Sequence, residues 1–159
     1  MKKYHGSFRL IDKEMKRKFK PGEFVFVQDM SDLFAGTVPV RYIMKILRRI
    51  REFPETTFLL QTKNPRGYIP FLAFNDIPRN AILGTTAETN YMVFNTPSKF
   101  TEYSMISKAQ APIFRLMWMY KIAKPDTYHK RFVSIEPILD FDLGEFVALI
   151  ERVKPWAVL

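Results

Sequence analysis

Four short apolar runs in this chain each lead straight into residues that bind, donate protons or carry charge. Phe24-Val25-Phe26-Val27 runs into Gln28-Asp29-Met30-Ser31-Asp32. Thr57-Phe58-Leu59-Leu60 runs into Gln61-Thr62-Lys63-Asn64. Ala81-Ile82-Leu83 leads to Thr85-Thr86 and then Glu88-Thr89-Asn90. Arg131-Phe132-Val133-Ser134-Ile135 leads to Glu136, Asp140 and Asp142. If the runs are parallel strands, their ends share one edge, and Asp29, Asp32, Glu88, Glu136 and Lys63 surround a single mouth. Such carboxylates suit the acid–base pair of a hydrolase or a divalent-metal site. Their spacing selects no particular pair.

Several other chemistries are excluded within the chain. It has no cysteine, which removes disulfides, thiolate zinc sites and cysteine nucleophiles. An iron–sulfur cluster would also lack its normal ligands. The six glycines are scattered, and no Gly-rich fingerprint follows a strand, so dinucleotide-binding and P-loop patterns are absent. His5 and His129 have no second ligand nearby at metal spacing, and they read as surface or capping residues.

The elements that would position the mouth follow from periodicity. Leu10, Ile11, Met15 and Phe19 predict a helix over 8–19, stopped by Pro21-Gly22. Thr37 is the expected cap of a second helix, with Pro39 in its first turn and Ile43, Ile46, Leu47 and Ile50 as its apolar stripe. Asn64-Pro65 starts a short third helix that Pro70 should break or kink. Residues 91–126 are harder to read. Thr96-Pro97 and Ala111-Pro112 both resemble helix starts, and 113–122 is long enough for a helix. Asp142 caps a last helix whose stripe is Leu143, Phe146, Val147, Ile150 and Val153. Residues 156–159 look like the start of a fifth strand.

Short apolar strands alternating with amphipathic helices predict an α/β fold with a parallel sheet. Without a nucleotide fingerprint, a partial (β/α) barrel of TIM type fits better than a doubly wound sheet. A full barrel needs about 250 residues. Residues 1–159 therefore read as one domain, part of such a barrel. Its open edge would favour self-association or a partner chain.

Charge points to further partners. The net charge is +9, and residues 1–20 hold eight Lys/Arg against Asp12 and Glu14. A basic helix there would attract nucleic acid, although Lys13, Lys16, Arg17 and Lys20 at helical spacing also suit a solvated face. No apolar run approaches the ~18 residues that span a bilayer. The lysines at the start are followed by no apolar stretch. The default expectation is a cytoplasmic protein with no membrane partner.

Taken in order, "FVFVQDMSDLF", "TFLLQTKNP", "AILGTTAETN" and "RFVSIEPILDFDL" resemble radical S-adenosylmethionine (SAM) proteins. The resemblance is to a branch found in phages and prokaryotes, distantly similar to spore photoproduct lyase, and covers roughly residues 8–159. It implies a partial barrel holding SAM across the strand ends. Asp29, Met30 and Ser31 would lie near its methionine end, Glu88 and Asn90 would reach the ribose or carboxylate, and Ser134 and Glu136 would line the same mouth. Asp32, Gln61, Lys63 and Asn64 would complete the mouth or meet the substrate. An ammonium group wants oxygens around it, and a ribose diol wants carboxylate or amide partners. In that family a three-cysteine loop holds the cluster, which is expected upstream of this chain. The expectation is therefore a barrel core whose cluster-binding segment and last strands lie elsewhere, acting on a nucleic-acid or other substrate. A cluster-free nucleic-acid or nucleotide-binding protein is the alternative, and a carboxylate hydrolase is a third reading.

Overall fold

The computed structural model describes residues 8–27, 31–96, 99–126 and 128–159. Gln28, Asp29, Met30 and His5 lie outside the described residues. Five strands form one sheet: β1 (Phe24–Val27), β2 (Thr57–Thr62), β3 (Ala81–Thr86), β6 (Arg131–Ser134) and β7 (Ala157–Val158). Their spatial order is β1-β2-β3-β6-β7, which is also chain order, and every pairing is parallel. The α/β class and the alternation of parallel strands with helices are as expected. Strands β1 and β7 each pair on one side only among the described residues, so the sheet is open there.

Parallel neighbours taken in sequence need crossovers of one hand, which put the connecting helices on one face. The core shows this layer. Ile43, Leu47 and Ile50 of α2 (Val40–Arg51), Leu116, Met119 and Ile122 of α5 (Pro112–Ala123), and Phe146, Ile150 and Val153 of α6 (Leu143–Val153) meet Phe58, Leu60, Leu83 and Val133. Each such aliphatic side chain, fully buried, contributes about 1.5–3 kcal/mol. Alternation turns Phe24, Phe26, Leu59 and Ile82 to the opposite face. There Leu59 and Ile82 are buried, whereas Phe24 and Phe26 on the edge strand are exposed.

Several boundaries depart from expectation, each for a tertiary reason. The first helix, α1, covers only Asp12–Met15. Beyond it, the carbonyls of Arg17 and Lys20 accept bonds from Arg49 Nη2 (2.8 Å) and Thr56 Oγ1 (2.9 Å) instead of continuing a helix. Phe19 then packs edge-on against Phe53 and Phe58. Thr37 does not cap α2; its N-cap is Pro39, with no side-chain bond. The third helical stretch is broken just before Pro70, as expected. Residues Pro65–Tyr68 form a 3-10 turn, and Pro70 sits in the first turn of α3 (Ile69–Ala73), where no amide is needed. Tyr68 anchors this turn: its hydroxyl lies 2.6 Å from Leu60 O and 2.9 Å from Gly84 O, and burial pushes its pKa well above 10.0.

Thr96 starts no helix. It ends β4 (Val93–Thr96), which pairs antiparallel with β5 (Lys99–Glu102) and leads into α4 (Tyr103–Ile106). Asp142 does cap α6, accepting Glu145 N at 2.8 Å, but Leu143 and Val147 are exposed and leave the expected stripe. Nor is His129 on the surface. It is buried, with Nδ1 3.0 Å from Asp126 and Nε2 3.2 Å from Pro78 O. No helix among the described residues is long and apolar enough to cross a membrane.

Gly67 sits where two mouth loops touch: a Cβ there would lie 2.8 Å from Phe34 O. Gly67→Ala should therefore lower stability by about 1–3 kcal/mol, the usual cost of overpacking. Gly36, with nothing within 4 Å, is the control. Chemical denaturation should show Gly36→Ala within roughly 0.5 kcal/mol of the parent, and equal values for the two variants would contradict the packing described.

Candidate functional site

At the carboxyl edge of the sheet, two constructions share Lys63. The first is a clasp. Asp32, in the loop after β1, accepts Thr62 Oγ1 at 2.6 Å and Phe34 N at 3.0 Å through Oδ1, and Lys63 N at 2.8 Å through Oδ2. Thr62 Oγ1 in turn accepts Asn64 N (2.9 Å), and Asn64 Nδ2 donates to Phe34 O (2.7 Å). Asp32 and Asn64 thus hold the loop after β1 against the end of β2.

The second construction is an ionic cluster. Strand β3 ends in Thr86, and Ala87 N continues the ladder by donating to Ser134 O at 2.7 Å. Glu88 then turns its carboxylate into the protein, where its side chain is 3% exposed. Arg115, a wholly buried guanidinium from α5, meets it with Nη1 at 2.9 Å from Oε2. Lys63 Nζ closely contacts Oε1 and donates to Thr86 Oγ1 at 3.0 Å. Tyr103 OH lies 3.2 Å from Oε2 and receives Arg115 Nη2. Thr86 Oγ1 also receives Arg115 Nη1 at 2.7 Å and lies 3.0 Å from Glu88 Oε1.

The protons in this network are consistent. Thr86 and Tyr103 each accept from a cation and donate to Glu88. Arg115 Nε donates to Gln110 O, so the guanidinium is held along its length. Burial pushes the Glu88 carboxyl up, but the Lys63 hydrogen bond and the Arg115 and Lys63 charges outweigh it, leaving the pKa below 4.5. Burial also raises Tyr103 above 10.0, which keeps the phenol a donor. Two cations share one carboxylate, so the cluster carries a surplus positive charge. Its outlet is Lys63, whose side chain is 39% exposed. Of the three ammonium protons, Thr86 and Glu88 take two.

The other expected residues are distributed as follows. Asn90 is buried but faces away from the cluster: Oδ1 accepts Asp142 N at 3.0 Å and Nδ2 donates to Glu145 at 3.3 Å, bracing the start of α6. Thr89 Oγ1 bonds Asp140 O at 2.7 Å, and Leu139 N bonds Glu88 O at 2.9 Å. Ser134 is buried beside Thr86, its register partner. Glu136 and Ser31 are exposed in the loops after β6 and β1, and Gln61 is partly buried opposite Gly84. Asp29 and Met30 lie outside the described residues. Sequence reasoning missed Arg115 and Tyr103. Arg115 had one signal, being a lone cation amid PIF and LMWMY, whereas Tyr103 had none.

A family model described as "Protein of unknown function (DUF5131)" matches residues 5–107, more than half of the chain. The chain belongs to that family. No curated protein and no solved structure matches it. The matched stretch contains Asp32, Lys63, Asn64, Glu88, Asn90 and Tyr103, whereas Arg115 lies beyond it.

Glu88 provides a test by pH. Its folded carboxyl ionises at lower pH than the unfolded one, so its contribution is complete above about 4.5 and disappears as pH falls through the lower folded value. Glu88→Gln leaves Arg115 buried without its counter-charge, which should cost about 3–5 kcal/mol near neutral pH. Denaturation at a series of pH values should show that gap narrowing in acid. A gap constant from neutral pH to well below 4.5 would mean that the ion pairs contribute nothing.

Proposed function

We propose that this member of the DUF5131 family is the core of a radical-SAM-like (β/α) barrel that binds S-adenosylmethionine at the carboxyl ends of its parallel strands. One observation carries the reading. Because strand order equals chain order, the polar residues after β1, β2, β3 and β6 reach one edge, and that edge ends in a partly exposed lysine whose carboxylate partner, Glu88, is shared with the buried Arg115. A sheet of this kind binds ligands at that edge. The four sequence stretches that resemble radical SAM proteins are the same four strand ends.

The residues present fit the ligand's charges. SAM ends in an amino-acid zwitterion. Its carboxylate suits the third proton of Lys63, and its ammonium suits the exposed carboxylate of Glu136, with Ser31 and Ser134 at the same strand ends. Glu88 and Asn90 act at one remove. Glu88 fixes the Lys63 ammonium, and Asn90 fixes the loop that leads to α6. When bound, SAM supplies a sulfonium centre whose carbon–sulfur bonds are activated for cleavage. A [4Fe–4S] cluster finds no thiolate here, because the chain has no cysteine, so no reductive step is assigned to these residues.

Isothermal titration with SAM tests the proposal. The parent should bind, and Lys63→Met should weaken binding about 10-fold or more, the usual worth of a charge-assisted hydrogen bond. Glu136→Gln should weaken it in the same sense. No heat at millimolar SAM, or equal affinity in a folded Lys63→Met variant, would overturn the assignment.

A further inference from the structure

We infer that the outward face of α2 is a docking surface for the phosphate backbone of nucleic acid. The inference rests on none of the mouth residues. Arg41, Lys45 and Arg48 recur at i, i+4 and i+7 and so fall on one side of α2, opposite Ile43, Ile46, Leu47 and Ile50, which are buried. All three cations are exposed, and none is paired with a carboxylate among the described residues. The helix has other basic residues, but these have structural work. Arg49 bonds Glu52 and the carbonyl of Arg17, and Arg51 bonds the carbonyl of Asn75. Glu52, the next residue along the stripe, is held by Arg49 and does not neutralise Arg48.

The stripe is extended by the chain's first basic segment. The Arg49 bond to Arg17 O and the Thr56 bond to Lys20 O tie residues 17–20 alongside the end of α2. Lys16, Arg17, Lys18 and Lys20 are all exposed in or beside this tied segment. Asp12 and Glu14, with Glu23 and Glu55 beside Lys20, offset much of this segment's charge, so the stripe on α2 itself carries the inference. From Arg41 to Arg48 the helix rises about 10 Å, which matches roughly three phosphates along one strand of a duplex.

An anionic membrane would also attract these charges, but a helix lying on a membrane must turn an apolar face outward. In α2 that face is buried against the sheet. A polar, cationic, rigid face with no apolar wedge suits a phosphate backbone, and contacts of this kind carry no base sequence.

Fluorescence anisotropy with a labelled random-sequence duplex, over a range of KCl concentrations, tests this. The parent should bind, with log Kobs falling linearly against log salt. The triple variant Arg41→Gln, Lys45→Gln, Arg48→Gln should have a slope shallower by about 2.7, at about 0.9 per phosphate contact. Lys45→Gln alone should remove about 0.9 of the slope, which keeps the test usable if the triple variant folds poorly. No duplex binding at low salt would overturn the inference, as would an unchanged slope in either variant. Binding to phosphatidylserine vesicles without duplex binding would also overturn it and identify a membrane surface. SAM titration of the same variants should be unchanged, so failure here and failure at the mouth remain distinct.

Discussion

A guanidinium without solvent must be answered by the protein around it, and the placement of Arg115 constrains much of this molecule. An unpaired buried charge costs several kcal/mol, so Thr86 and Glu88 from the end of β3 and Tyr103 from α4 have to arrive at fixed positions. The hairpin β4–β5 lies between β3 and α4, which brings Tyr103 back over the strand end. Helix α5 must then lie across β3 so that Arg115 reaches the rim. The packing of the helical layer and the electrostatics of the mouth are therefore one problem with one solution.

The sheet itself was readable from sequence. Runs such as Phe24–Val27 and Thr57–Thr62 are dense in aromatic, aliphatic and β-branched residues and end in polar clusters, a pattern that needs no partner information. Helix α2 was equally legible, because its apolar stripe and its cations occupy opposite faces. What escaped was decided by distant contacts. Residues 16–20 have helical spacing, yet Arg49 and Thr56 claim the carbonyls that a longer helix would have used, and Phe19 is drawn between Phe53 and Phe58. The pair Thr96-Pro97 suits a helix start and a turn alike, and the hairpin around it is short and polar.

The site was legible to a similar depth. Recurrence at four strand ends pointed to Asp32, Lys63, Asn64 and Glu88, and the structure gathers them at one edge. It could not show what each carboxylate faces. Asp32 and Glu88 look alike in sequence, but one clasps backbone and hydroxyl groups and the other neutralises buried cations. Asn90, two residues from Glu88, would share its face in a regular strand, but the chain has left β3 by then, and Asn90 bonds Asp142 and Glu145 instead. Arg115 lies 27 residues beyond Glu88 in a helix whose other residues are largely apolar, and no local pattern joins them.

Lys63 is gripped at both ends, its amide by Asp32 and its ammonium by Thr86 and Glu88. A free lysine side chain samples many rotamers, and ordering it on binding costs about 0.5–1.5 kcal/mol. Here that ordering has already occurred on folding. An anion that approached the rim would meet a charge fixed in direction, so shape and distance, more than charge alone, would decide whether it is held.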